Sequence, residues 1–122
     1  MSSLERRIAG AAAVLVACLG LLTSANAQRY FPRVPPIVRY NAIAESVYIL
    51  NKCGELTAAR REWLEHLRGH AMRGLDWSAA QWAAHDAALA REHAQTIPYV
   101  PKDRCDEYAR TTDHERRTIP RS

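Results

Sequence analysis

Bulky apolar residues are scarce in this chain of 122 residues, which has one phenylalanine, two methionines and only 7% aromatic residues in all. A core built from so few large side chains is small and gains from a covalent staple. Glycine is sparse as well, at five residues, and none stands in the spacing of a phosphate-cradling loop, which excludes the common nucleotide-binding motifs. No His-Glu-x-x-His and no Gly-x-Ser-x-Gly occurs, so the usual zinc-protease and serine-hydrolase signatures are excluded too. Neither sign of charge dominates. With 17 basic and 13 acidic residues the net charge is +4, and no basic stripe is interleaved with aromatics, so no nucleic-acid partner is expected. Internal repeats and low-complexity tracts are absent, and a long apolar run occurs only near the start.

That start reads as an address. Glu5, Arg6 and Arg7 precede an apolar run from Ile8 to Leu22 that is short for a bilayer span, and Ala25-Asn26-Ala27 is the small-x-small pattern cut by signal peptidase. The expected organisation is a cleaved signal peptide over 1–27, an extended Pro/Arg-rich arm over 28–40, a helical domain over 41–111 and a flexible tail over 112–122. Cleavage removes Arg6, Arg7 and Glu5 and leaves a net charge of +3. The expected location is periplasmic or secreted, with no transmembrane segment after cleavage. An alternative is a lipoprotein, because Leu15-Val16-Ala17-Cys18 matches a lipobox that would place a lipid anchor on Cys18.

Export decides how the cysteines are read. Once Cys18 is gone, Cys53 and Cys105 remain, and an even pair in an oxidising compartment points to a disulfide. Closing a loop of that length contributes about 4 kcal/mol on the chain-entropy model.

Helical spacing organises the rest. Tyr40, Ile43, Val47 and Leu50 fall on one face of a helix over 41–52, which Gly54 is placed to end in the left-handed conformation. A second helix over 58–73 follows Thr57 as its cap. Ser78 with Gln81 forms a capping-box pattern, and Trp77 can staple onto Trp82 at the start of a third helix over 79–96. Pro98 and Pro101 break the chain, and Asp103 is a candidate cap for a short helix over 104–111. The expected fold is all-α: a small disulfide-stapled bundle of about four helices around a central antiparallel helical hairpin.

The block from Thr57 to Gln95 holds all three tryptophans and four of the five histidines. Trp63, Leu67, Trp82 and Leu89 suit a core. His70, Asp86 and His93 share those apolar faces, where packing alone gives no reason for a polar group. If the second and third helices fold back on each other, His66 comes toward Asp86 and His70 toward Trp82. His66 and His70, at i and i+4, with Asp86 and with His85 or Glu62 as a fourth group, make a candidate site for zinc, copper or nickel. The ordinary alternative is a set of hydrogen-bonded core and surface residues. No catalytic residue is assigned, because His70 beside Asp86 has no nucleophile to activate.

Two functions are carried forward. The first is an exported, non-enzymatic accessory or interaction protein that works by contact with an envelope protein, with Arg29, Tyr30, Phe31, Arg33 and Arg39 of the arm as candidate partner-binding residues. The second is a periplasmic divalent-metal-binding protein using the His/His/carboxylate cluster.

Overall fold

The computed structural model describes residues 33–121. The expected leader, Cys18, and Arg29, Tyr30 and Phe31 of the arm lie outside the described residues. Four helices follow in order: α1 (Pro36–Lys52), α2 (Ala58–Arg73), α3 (Ala79–Thr96) and α4 (Lys102–Thr118). The fold is all-α, and none of these helices is long and apolar enough to cross a membrane.

Helix α1 begins at Pro36, five residues before the expected start at 41. Pro35 stands at its N-cap and Pro36 at its first helical position, where proline loses no hydrogen bond and its fixed φ suits the first turn. Tyr40, Ile43, Ser46, Ile49 and Leu50 are buried along one face. Ser46 is tolerated there because its hydroxyl donates back to the Ala42 carbonyl at 3.2 Å. Gly54, with φ of +70°, turns the chain out of the helix. The Thr57 hydroxyl then accepts from the Arg60 amide at 3.3 Å and opens α2.

Helices α1 and α2 thereby form an antiparallel hairpin, the most extensive helix pair in the fold. At its open end Pro36 packs on Gly74, where a Cβ would come within 2.5 Å of the proline ring. Trp63, Leu64, Leu67 and Ala71 of α2 meet the buried face of α1. Helix α1 also touches α3 and α4, so it is the element on which the others assemble.

Helix α3 starts from a complete capping box: the Ser78 hydroxyl accepts from the Gln81 amide at 3.2 Å, and the Gln81 side chain accepts from the Ser78 amide at 2.7 Å. Helix α4 departs from expectation at both ends. It starts at Lys102 with Pro101 as a cap whose φ is already fixed, and Asp103 lies inside its first turn. It continues to Thr118, because Tyr108, Ala109, Thr112 and Glu115 form a buried face. Small or polar residues make up three of those four positions, so hydropathy alone reads the segment as tail. The Arg60 guanidinium of α2 clamps it further, holding the Asp113 carboxylate in a two-pronged pair at 3.0 and 2.9 Å. Cys53, just after α1, is bonded to Cys105 in the first turn of α4, with Cα atoms 5.8 Å apart.

Candidate functional site

The first cluster of chemistry-bearing residues forms where α3 meets α1. The Tyr40 ring lies 4.4 Å from that of Trp82, and the Trp77 ring lies 4.5 Å from it. The capping box fixes this arrangement, because it sets the angle at which Trp77 enters and Trp82 leaves. The Tyr40 hydroxyl donates to the Asp86 carboxylate, and Arg68 of α2 approaches the same hydroxyl. Burial of the ring, reinforced by Asp86, pushes the Tyr40 hydroxyl up to about 12, so it stays a donor throughout the physiological range. Beside this pair, His85, next to Asp86 in sequence, brings its Nε2 within 2.7 Å of the Oδ1 of Asn41, next to Tyr40.

A second cluster runs along α2. The His66 ring lies 5.6 Å from that of Trp63 and 4.8 Å, edge-on, from that of His70. Burial first, then the positive charges of Arg73, His66 and Arg39, hold the His70 imidazole below its ordinary range. The structure therefore brings two of the four expected metal ligands together. Asp86 is engaged with Tyr40 and His85 with Asn41, while Glu62 pairs with Arg121 at 2.8 Å. Among the described residues, no group of three or more His, Cys, Asp or Glu side chains is arranged to hold a metal ion.

His93, the third polar residue on an expected apolar face, is buried. Its ring lies 5.1 Å from that of Tyr48, and Tyr48 spans the same region to donate to the Ile97 carbonyl at 2.8 Å. Across the bundle, the Tyr108 hydroxyl donates to Glu45 at 3.2 Å, and burial of Tyr108 pushes its hydroxyl upward. Each of these polar groups ties one helix to another.

The third feature was not signalled by helical spacing. Between α3 and α4 the chain runs through Pro98-Tyr99-Val100-Pro101 without regular structure. It borders a groove of about 220 Å³ lined by Ile49, Thr96, Ile97, Val100, Pro101 and Arg104. Tyr99 stands at its rim, 76% exposed, on a segment pinned at one end by the Tyr48 bond and at the other by the disulfide. An aromatic residue framed by two prolines is the signal in the sequence that could have drawn attention to it. Of the expected arm residues within the described region, Arg33 is exposed ahead of α1 and Arg39 is part-buried on α1.

No protein-family model matches the chain, and neither the curated proteins nor the solved structures contain a significant match to it.

Proposed function

We propose that this chain is an exported, non-enzymatic helical module that works by contact with an envelope protein. The observation that carries the proposal is Tyr99, a large aromatic side chain left 76% exposed on a segment held rigid at both ends beside a groove. A pre-organised aromatic with an arginine, Arg104, beside it has the composition of an interface hot spot, and its rigidity lowers the ordering cost of binding. Export is supported by the Cys53–Cys105 bond, the chemistry of an oxidising compartment.

The test is capture from envelope extract through a photo-crosslinking residue placed at position 99, compared with the same residue at exposed Arg91 and with chains lacking residues 28–34. A single species crosslinked from 99, competed away by unmodified protein but not by the Tyr99→Ala variant, is expected. Equal labelling from 91 and 99, or no discrete species, would remove the proposal. A bound zinc, copper or nickel ion remains a second proposal with one supporting observation, the 4.8 Å His66–His70 pairing. It predicts saturable binding of one of those ions that the His66→Ala, His70→Ala double variant loses.

A further inference from the structure

Of the polar residues that helical spacing sets on the apolar face of α3, Asp86 finds a donor in Tyr40. His93 has no such answer. It is only 9% exposed, its ring rests against that of Tyr48 at 5.1 Å, and neither ring nitrogen makes a hydrogen bond to another described residue. A buried polar group without a partner is costly to keep and calls for one.

His93 lines a groove of about 230 Å³ between α1 and α3. Residues three and four apart build its two walls: Val38, Asn41 and Glu45 on α1, and Leu89, Glu92 and His93 on α3. The space is smaller than the roughly 300–1,000 Å³ that holds a drug-sized molecule and suits one long side chain. Val38 and Leu89 make it partly apolar, and Glu45 and Glu92 make it negative. No lysine or arginine lines it, and neither carboxylate joins a salt bridge with a described residue. Glu45 accepts from the Tyr108 hydroxyl at 3.2 Å through Oε1, which leaves Oε2 free to accept from elsewhere. Other acids are answered within the body: Glu55 and Asp113 by Arg60, Glu62 by Arg121, and Asp86, a turn before Leu89, by Tyr40.

The lining selects the chemistry of an occupant. An anion would meet two carboxylates. A bare metal ion needs ligands that converge on one point, and among the described residues no group of three or more His, Cys, Asp or Glu side chains does so. A guanidinium instead spreads its charge and five donors over a plane, so it can address separate acceptors, while its methylene stem covers apolar surface.

We propose that this groove binds an arginine side chain presented by a separate polypeptide, with Glu45, Glu92 and a ring nitrogen of His93 accepting from its guanidinium. The groove shares no residue with the one beside Tyr99, so the two contacts fail independently.

The experiment titrates the oxidised protein at pH 7.5 with a capped tetrapeptide carrying one central arginine, following the His93 side-chain resonances and the Leu89 methyl groups. A control peptide carries citrulline, which keeps the shape and loses the charge. Saturable shifts of His93 and Leu89, with His66 and His70 unmoved, are expected from the arginine peptide and none from the citrulline peptide. Glu92→Gln and Glu45→Gln, the second of which keeps an acceptor for Tyr108, should each weaken binding about fivefold, and the double variant should lose it. His93→Phe, which keeps a ring against Tyr48, should weaken binding as well; if it fails to fold, the glutamine variants decide. Chains lacking residues 28–34 should bind the arginine peptide with unchanged affinity. Tighter binding after that removal would assign the groove to Arg29 or Arg33 of the chain's own arm and overturn the proposal. An equal response to citrulline, shifts that do not saturate, or an affinity untouched by the glutamine variants would each overturn it too.

Discussion

The hydroxyl of Tyr40, whose ring is 1% exposed in the core, donates to the carboxylate of Asp86 at the surface of α3. The bond makes the protein sensitive to alkali. The folded hydroxyl is raised to about 12 from an ordinary value of 10.0, so the unfolded chain releases its proton first. Stability that is fully present below pH 10 is lost as pH rises toward 12. Tyr108 shifts in the same direction. Tyr40→Phe keeps the ring stack on Trp82, costs about 1 kcal/mol at neutral pH, and shallows the alkaline decline. Urea melts at pH 7, 10 and 11 check this; an undiminished decline in the variant would contradict it.

Acid acts through a different pair. The Arg60 guanidinium holds the Asp113 carboxyl below its ordinary value of 3.8. This contribution is complete above that value and disappears as pH falls through the lowered one. Asp113→Asn should therefore lose about 1.5–3 kcal/mol at pH 7, with the gap to wild type closing in acid below pH 4. Both side chains are mostly shielded, at 15% and 23% exposure, so added salt should weaken the effect only slightly.

Two glycines of α2 and its end should respond oppositely to alanine. A Cβ at Gly69 meets nothing closer than the flexible tip of Arg73 at 3.8 Å, so Gly69→Ala should stabilise the helix by about 0.5–1 kcal/mol. At Gly74 the same atom would press into the Pro36 ring at 2.5 Å, and the hairpin must open, at about 1–3 kcal/mol. Thermal melts of the two variants settle the contrast, and a neutral Gly74→Ala would mean that Pro36 does not pack there.

The Cys53–Cys105 bond closes a separation of 52 residues, and replacing both cysteines with serine should cost about 4 kcal/mol. Wild type with and without reductant should reproduce the difference in denaturant midpoint. A capping variant, Ser78→Ala, should cost about 1 kcal/mol and loosen Trp77 from Trp82, read as a change in near-ultraviolet circular dichroism.

Local features were legible in the sequence to the extent that they were self-contained. Gly54, Thr57 and the Ser78–Gln81 box act within a few residues, and their side chains suffice to place the helix ends. The partner of a helix face was not legible. Trp82 and Asp86 sit on a definite face of α3, but periodicity cannot choose between α1 and α2 as its neighbour. The choice fell on Tyr40, whose flat ring and hydroxyl satisfy both residues at once. The end of α4 was hidden for a related reason: Thr112 and Glu115 are buried by their surroundings, and it is contacts from α2, Arg60 on Asp113 53 positions away and Glu62 on Arg121, that show the last turns belong to the body. The metal expectation depended on the same unseen neighbours, since α1 engages Asp86 and His85.

The position of the disulfide also orders events in time. Helices α1 and α2 meet across the few residues from Cys53 to Thr57, a closure that takes well under a microsecond in an unfolded chain, whereas oxidation takes seconds or longer. Docking of α4 spans nearly half of the sequence and is the slower contact to find. The bond therefore locks in an encounter that the hairpin has already made possible, and the still-reduced protein should hold a formed α1–α2 pair beside a last helix that comes and goes. Amide exchange during oxidative refolding would show it: protection in α1 and α2 should precede bond formation, while α4 becomes protected only with it.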